Sequence, residues 1–332
     1  MNSEKRIARG LCLLSGGLDS QLAVCVLRDQ GIYVEGMVFD SPFFKITVAQ
    51  QAARQLGIIC HVYPFTPEIL KLIHKPKHGF GGAMNPCIDC HASMIRLAGE
   101  WITEHGFDFV ATGEVLNQRP MSQNRRALEI VACDADLGGR LLRPLSALLL
   151  EPTLPEQQGL VDRTQLLGLS GRSRKPQVML AERFGLKEYP TPAGGCLLTE
   201  KGFCRKLADL QQHEGLAKER LVKTLVLGRH LRLPEGTKCI VGRDSSENDL
   251  IEQCFQPEMG DVLLYTVSVA GPTVLIPQGG VASEVVLAAQ VTAGYGDCGK
   301  KERVTVCVKN QQETQELSVT PLPKSTSQQW LC

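Results

Sequence analysis

Gly10-Leu11-Cys12-Leu13-Leu14-Ser15-Gly16-Gly17-Leu18-Asp19-Ser20-Gln21-Leu22-Ala23-Val24-Cys25-Val26-Leu27 is the stretch that decides the fold. It falls into an apolar run of strand character, a Ser-Gly-Gly-X-Asp-Ser turn, and an amphipathic run of helical character. Strand, glycine-rich turn and helix in that order form the context of a phosphate cradle. Backbone N–H groups can close on an anion, and the helix start points its positive end at the same place. Ser15 and Ser20 add hydroxyl donors. Asp19 has the wrong charge for a polyanion but the right charge for the Mg²⁺ that travels with one. No Gly-Lys-Ser/Thr follows, which excludes a Walker A loop. Gly-X-Gly-X-X-Gly is absent, which excludes a dinucleotide fingerprint.

Strand and helix signals keep alternating beyond this stretch. The patterns predict a first strand over 10–14, a helix over 18–30, a strand over 34–39 and a helix over 44–56. A strand over 58–63, a polar loop over 75–84, a helix over 90–104 and a strand over 109–112 follow. Repeated βα units with short connections imply an α/β fold, a doubly wound parallel sheet. Ligands of such sheets sit beyond the carboxyl ends of the strands. Ser15–Ser20, Phe39-Asp40 and Gly113-Glu114 all fall at such ends.

Residues 138–155 read as a connector, leading to helices near 156–167 and 176–184. Around 202–210 the character changes. Helical signals continue to about Leu227, and then short strand-like runs dominate: 238–241, 262–269, 273–276 and 303–308. An apolar helix over 281–293 interrupts them. This pattern predicts a second, smaller α+β domain, with residues 1–205 forming the catalytic domain and 206–332 the second. The polar stretch 324–332 reads as a frayed end.

Net charge over 332 residues is +1, so no strong global field collects nucleic acid. Residues 206–332 carry 13 Lys and Arg against 15 Asp and Glu, net −2, which leaves residues 1–205 at +3. Any RNA contact must come from a local basic patch. No leader peptide and no membrane helix is visible, so the expectation is a cytoplasmic protein with no membrane partner. The 13 cysteines then do not read as a disulfide framework. Cys12, Cys25, Cys133 and Cys307 sit in apolar runs and read as small buried hydrophobes.

Three other cysteines stand out. Asn85-Pro86-Cys87-Ile88-Asp89-Cys90-His91 places a CxxC at a helix start. Tyr189-Pro190-Thr191-Pro192-Ala193-Gly194-Gly195-Cys196 places a third thiol in a rigid Pro/Gly loop. A structural Zn²⁺ would need a fourth ligand, with His91 or Cys204 as candidates. A redox CxxC would cycle through a disulfide. A [4Fe–4S] cluster on Cys87, Cys90 and Cys196 would leave one iron open for sulfide. The cluster is the reading carried forward, with catalytic thiols as its rival.

The Ser-Gly-Gly-X-Asp-Ser loop resembles that of the ATP pyrophosphatases, the PP-loop family, which split ATP into AMP and pyrophosphate to activate a carbonyl. Thr112-Gly113-Glu114-Val115-Leu116-Asn117-Gln118, followed by Ser122-Gln123, resembles the Thr-Gly-Glu-X-Leu-Gly-Gln…Ser-Gln motif of the 4-thiouridine synthetases. Arg143-Pro144-Leu145 matches their Arg-Pro-Leu. Asn85-Pro86-Cys87 is similar to a segment of the 2-thiouridylases. The resemblance covers roughly residues 10–200. It implies ATP and Mg²⁺ at Ser15, Gly16, Gly17, Leu18, Asp19 and Ser20, with Phe39, Asp40 and Gly113 completing the nucleotide site. It also implies Asp19, Cys87, Cys90 and Cys196 as the catalytic set, tRNA as substrate, a sulfide or persulfide carrier as sulfur donor, and a homodimer. Two departures matter: Asn117 replaces the family's glycine, and the first strand starts too early for the N-terminal THUMP domain that 4-thiouridine synthetases use to hold tRNA.

Ile240-Val241-Gly242-Arg243-Asp244 with Asn248-Asp249, and the following strands and helix, resemble the NFACT RNA-binding domain. A basic stripe at Lys218, Arg220, Lys223, Arg229, Arg232, Lys238 and Arg243 precedes or overlaps it, and Arg229, Arg232 and Arg243 are the candidate RNA contacts. The whole reads as an ATP-dependent tRNA uridine sulfurtransferase. Its rivals are a PP-loop sulfur transferase or amidating ligase acting on a small metabolite, and an RNA-binding adaptor with a dead ATP site. The intact loop speaks against the adaptor.

Overall fold

The computed structural model describes residues 6–191, 195–299 and 302–332. It divides into two compact units, Met1–Glu200 and Lys201–Cys332.

The first unit runs β1 (Arg9–Leu13), α1 (Leu18–Asp29), β2 (Tyr33–Asp40), α2 (Ile46–Leu56), β3 (Cys60–Pro64), α3 (Thr66–His74), α4 (Cys87–His105), β4 (Phe109–Ala111), α5 (Arg125–Ala135), β5 (Leu141–Leu142), α6 (Leu154–Gln157) and α7 (Lys175–Arg183). The five strands form one parallel sheet in the order β3-β2-β1-β4-β5. Val34 to Phe39 are buried without interruption, as expected of a central strand covered on both faces. Leu14, Leu18, Leu22, Val24, Val38, Ala49, Ala53 and Phe109 are among the residues that build the core between sheet and helices. The doubly wound reading is therefore correct.

Chain order reverses at β1, which lies between β2 and β4. The crevice at the carboxyl ends of β1 and β4 is thus the topological switch point, where open α/β sheets take their ligands. The Ser15–Ser20 loop leaves β1 at that end, and Thr112-Gly113-Glu114 leaves β4.

Several local expectations need correction. The helix predicted over 156–167 is only the single turn α6 with a short 3₁₀ turn at Arg163–Gln165, because Gly159 breaks the run at positive φ. Helices α3 and α5 fill stretches that no signal marked. Cys12 and Cys307 are buried, as read, but Cys25 is only half-buried and Cys133 is exposed on α5.

The second unit runs α8 (Lys201–His213), α9 (Glu219–Thr224), β6 (Arg229–Arg232), β7 (Lys238–Val241), α10 (Ser245–Gln253), β8 (Val262–Thr266), β9 (Thr273–Ile276), α11 (Ala282–Tyr295), β10 (Val304–Lys309), β11 (Thr314–Val319) and α12 (Lys324–Ser327). Its antiparallel sheet has the order β11-β10-β8-β9-β7-β6. Side chains alternate between faces. Val262, Leu264, Val274 and Ile276 pack in the cluster that holds Ala288, Ala289 and Val291 of α11, whereas Leu263 and Leu275 meet Ile251 of α10. The end of the chain is not frayed: Leu331 bridges to Leu231, and the Cys332 N–H donates to the His230 carbonyl at 3.0 Å. No helix among the described residues is long and apolar enough to cross a membrane.

Candidate active site

Gly16 adopts φ +79°, and a Cβ there would lie 2.6 Å from the Val48 backbone. Only glycine lets the loop turn this tightly against α2. Gly17 then starts α1 with no side-chain cap, so the first-turn amides face the loop. Ser15 and Ser20 lie 3.3 Å apart through their Oγ atoms, and the Ser20 hydroxyl donates to the Gly17 carbonyl at 2.8 Å. Gln21 pins the loop from behind by donating to the Gly16 carbonyl at 2.9 Å. Across the crevice Gly113 comes so close that a Cβ would sit 2.5 Å from the Ser20 nitrogen and 2.6 Å from the Asp19 carbonyl carbon. The structure therefore joins the loop and Gly113 at the switch point.

Asp19 occupies the first turn of α1. Its Oδ2 accepts from the Gln118 amide at 2.8 Å, while its Oδ1 is buried and has no hydrogen-bond partner. A buried carboxylate oxygen left unpaired is costly, typically about 1–3 kcal/mol or more, and asks for a ligand. Mg²⁺ fits this donor, because a hard cation takes carboxylate oxygen and shares its remaining positions with phosphate.

Glu114 forms a buried electrostatic centre beside it. Arg143 donates to its Oε2 at 2.8 Å, Thr112 donates to the same oxygen at 3.0 Å, and His91 meets its Oε1 at 2.9 Å. Burial alone would push this carboxyl up, but Arg143 and His91 outweigh it and hold it well below the usual carboxylate range. Arg143 also donates to the Leu128 carbonyl at 3.1 Å, tying α5 to the site. His91 meets Glu114 through Nδ1, so any ligation of a metal on the cysteines would fall to its Nε2.

The CxxC opens α4, with Cys87 as its first residue and Cys90 buried one turn on. Burial drives the Cys90 thiol well up, and the adjoining thiols of Cys196 and Cys87 add to it. Burial likewise raises Cys87, against Arg119 and a hydrogen bond from Asn85. Cys196 is brought to this place by a β-bridge to Phe44 and by the Leu197 N–H, which donates to the Phe43 carbonyl at 3.1 Å. The three thiols thus share one neighbourhood. Pro192, Ala193 and Gly194 of the loop before Cys196 lie outside the described residues. Among the described residues, His78, Asp89 and Asp134 have ligand atoms within 4.8 Å of one another, the spacing of a single-ion site. The Lys77 ammonium also donates to Asp134 at 2.8 Å, so this trio is an ion-pair cluster that pins the loop before α4.

Two expectations for the nucleotide pocket separate. Asp40 is exposed at the end of β2, with its carbonyl accepting from the Phe65 N–H at 2.8 Å. The Phe39 ring is buried against Tyr63 and Phe65, at centroid distances of 5.6 and 5.2 Å, so it serves the core and leaves only its backbone for a ligand.

In the second unit, most of the basic stripe is neutralised. Arg232 donates to Asp209 at 2.7 Å and to Glu214 at 2.6 Å, and Arg220 donates to Asp261 at 2.7 Å. Lys238 contacts Asp209 as well. Arg243 pairs with Glu247 four residues on, and its guanidinium and its own backbone N–H hold that carboxyl down to about 2. Arg229 lies over the Tyr295 ring at 5.3 Å and makes only a long 3.5 Å contact to the Gly242 carbonyl. Arg232 and Arg243 thus each have a carboxylate partner within the unit.

Two family models match. The thiamine biosynthesis protein (ThiI) family covers residues 7–149, and the NFACT protein RNA binding domain covers residues 228–331. Residues 7–149 are thus similar to the ThiI family and residues 228–331 to the NFACT RNA-binding domain. Similar curated proteins include the tRNA-specific 2-thiouridylase MnmA of Marinobacter nauticus, 28% identical over 33% of this chain and 32% of its own. The MnmA of Histophilus somni is 25% identical over 69% of this chain and 60% of its own. The chain thus spans about a third of the first relative's length. Among solved structures, a 4-thiouridine synthetase–RNA complex with bound ATP overlaps 54% of this chain and 52% of its own at 19% identity, with a TM-score of 0.35. The C-terminal part of a fibronectin/fibrinogen-binding protein from Streptococcus suis overlaps 80% of this chain and 97% of its own at 12% identity, with a TM-score of 0.28.

Sequence reasoning missed Gln177 of α7, which reaches the loop through Gln118, 59 residues away in sequence. It also missed the coupling of His91 to Glu114. No local pattern marks such pairings.

Proposed function

We propose that this protein is an ATP-dependent tRNA sulfurtransferase that converts a uridine carbonyl to a thiocarbonyl. The observation that carries the reading is the unpartnered, buried Oδ1 of Asp19 at the switch point, with the Cys87, Cys90 and Cys196 thiols gathered in the same unit. The family matches to both halves support it.

The carbonyl oxygen of the base attacks the α-phosphorus of ATP, and pyrophosphate leaves. Sulfur from a sulfide or persulfide carrier then adds to the activated carbon, and AMP departs with the original oxygen. In the first step, the amides at the start of α1 and the Ser15 and Ser20 hydroxyls receive the charge that builds on pyrophosphate. Mg²⁺ held by Asp19 would neutralise part of that charge. The target base leaves its stack to reach the crevice. In the second step, the cysteines would hold the sulfur that the carrier delivers. A [4Fe–4S] cluster on Cys87, Cys90 and Cys196 would offer one open iron to sulfide. The proximity of the Cys87 and Cys196 thiols to Cys90 supports that donor set.

The test is product analysis. The protein purified without oxygen is incubated with ATP, sulfide and unmodified tRNA. AMP, pyrophosphate and thiouridine in the digested tRNA are the expected products, with iron and sulfide bound before the reaction. ADP as product would overturn the reading. Thiolation without iron that requires a persulfide donor in place of sulfide, and a thiol reductant for turnover, would move the sulfur to a Cys196 persulfide, with Cys87 or Cys90 resolving it as a disulfide that the reductant reopens. AMP and pyrophosphate formed without tRNA, on a small carbonyl compound, would favour the metabolite-ligase reading.

A further inference from the structure

Among the described residues, the buried polar atoms left without a hydrogen-bond partner include Asp19 Oδ1, Gln123 Oε1, Arg174 Nε and Gln177 Oε1. These belong to three segments that meet. The 116–123 loop joins the 170–177 segment through the Leu116–Ser170 bridge and the Gly171 N–H, which donates to the Leu116 carbonyl at 2.8 Å. Gln118 joins the same loop to Asp19.

A relay of amides connects them, and its polarity is fixed. A carboxylate only accepts, so Gln118 must turn its NH₂ towards Asp19 Oδ2, at 2.8 Å. Its own carbonyl then faces Gln177, which must donate its NH₂, at 3.4 Å. That choice leaves the Gln177 carbonyl as the orphan acceptor in a side chain only 1% exposed. Each amide therefore has one permitted orientation. The Asp19 carboxylate has two equivalent oxygens, and the relay occupies one of them.

We propose that Gln118 and Gln177 are positioning residues for the nucleotide, holding Asp19 by Oδ2 so that Oδ1 is presented to the cation of the metal–triphosphate. The inference rests on the nucleotide-binding part of the reading above and not on what is thiolated. Gln177 lies outside residues 7–149, the span matched by the ThiI family, so the device draws α7 into the nucleotide site. Neither glutamine touches the reacting atoms. Their effect passes through Asp19.

The experiment is calorimetric titration of the full chain with ATP, in Mg²⁺ and in EDTA, for wild type, Gln177→Leu, Gln177→Glu and Gln118→Ala. Wild type should bind ATP more tightly in Mg²⁺. Gln177→Leu removes the donor to Gln118 and should cost about two- to tenfold of affinity in Mg²⁺, the worth of one neutral hydrogen bond, with affinity in EDTA unchanged. Gln118→Ala sits at a half-exposed position that tolerates truncation and should show the same pattern. This keeps the test open if the buried Gln177 variants melt early. Gln177→Glu carries a signature that mere packing would lack. An ionised Glu cannot donate, so Gln118 would turn its NH₂ towards it and set a carbonyl against Asp19. The loss should exceed that of Gln177→Leu at pH 8 and shrink, relative to wild type, as the pH falls and the new carboxyl gains a proton that it can donate. The proposal is overturned if the variants keep wild-type affinity in Mg²⁺, or if they lose equally in EDTA. Absence of any Mg²⁺-dependent gain in wild type would overturn both the proposal and the nucleotide reading beneath it.

Discussion

Replacing Arg143 by Met should destabilise the first unit by about 3–5 kcal/mol, because it strands a buried carboxylate. Glu114 and Arg143 have side chains only 5% and 8% exposed, with Nε and Oε2 2.8 Å apart. In the variant, His91 and Thr112 remain as partners for Glu114, at 2.9 and 3.0 Å, and neither carries a fixed positive charge. Removing both members of the pair is a smaller insult, since Glu114→Gln with Arg143→Met leaves no charge behind. The double variant should therefore recover much of the loss. For a unit of this size each kcal/mol moves the midpoint by about 2–4 °C, so the single variant should melt roughly 6–20 °C early. The chain has two tryptophans, one per unit, so in a Trp330→Phe background Trp101 fluorescence reports the first unit alone. The pH dependence has a definite sign. Glu114 is held below its unfolded value, so its stabilisation is present above about pH 4.3, the ordinary glutamate range, and is lost as the pH falls through the depressed folded value. Without Arg143, burial dominates and the carboxyl takes up a proton readily, so the penalty of the variant should shrink between pH 7 and pH 4. A single variant costing under about 1 kcal/mol, or a double variant less stable than the single, would refute this reasoning.

Gly113→Ala drives a methyl group to 2.5 Å from the Ser20 nitrogen, where only backbone could yield, and should abolish ATP binding by displacing the loop; circular dichroism will show the fold retained. Asp19→Ala removes the unpaired oxygen and should slow pyrophosphate release about a hundredfold or more, without loss of secondary structure. In the second unit, Arg232→Ala should cost stability, because Asp209 and Glu214 lose their shared guanidinium; Trp330 fluorescence in urea will read it. Arg229→Ala should leave that stability intact and flatten the salt dependence of tRNA binding by about one. An unchanged slope would remove Arg229 from any RNA face.

What could be read from the sequence is what depends on neighbours along the chain. The β1–loop–α1 unit was legible because strand, turn and helix follow one another within about 20 residues, each with its own local signature. Strand β2 was legible for the same reason, as a short, mostly apolar run ending at Asp40. The polar strand β11 was not, because Thr314–Val319 faces solvent over most of its length and carries no alternation. Strand β5 is two residues long and exists only because β4 lies beside it. At the site, the loop and the CxxC announced themselves, yet the side chains that give them meaning come from far away: Arg143 for Glu114, and Gln118 and Gln177 for Asp19.

The arginines of the second unit show the same limit from the other side. A basic stripe in sequence counts charges on one strand of text, whereas an anion feels the residual charge after folding. Asp209 and Glu214, in or next to helix α8, reach Arg232 and Lys238 only through the packing of helix on sheet, whereas Glu247 meets Arg243 four residues away across the start of α10. A buried or half-buried arginine with a matched carboxylate contributes little field beyond its partner. The face that could meet a polyanion is therefore set by cations without an acid at hand. Arg229, with its guanidinium over Tyr295, keeps both a charge and an adjoining ring, the pairing that single-stranded nucleic acid uses for phosphate and base together. If this unit holds RNA, the contact should run past Arg229 and Tyr295 and away from the ion pairs at Arg232. A crosslink from 4-thiouridine-substituted RNA that lands on the Asp209–Glu214 side would contradict that assignment.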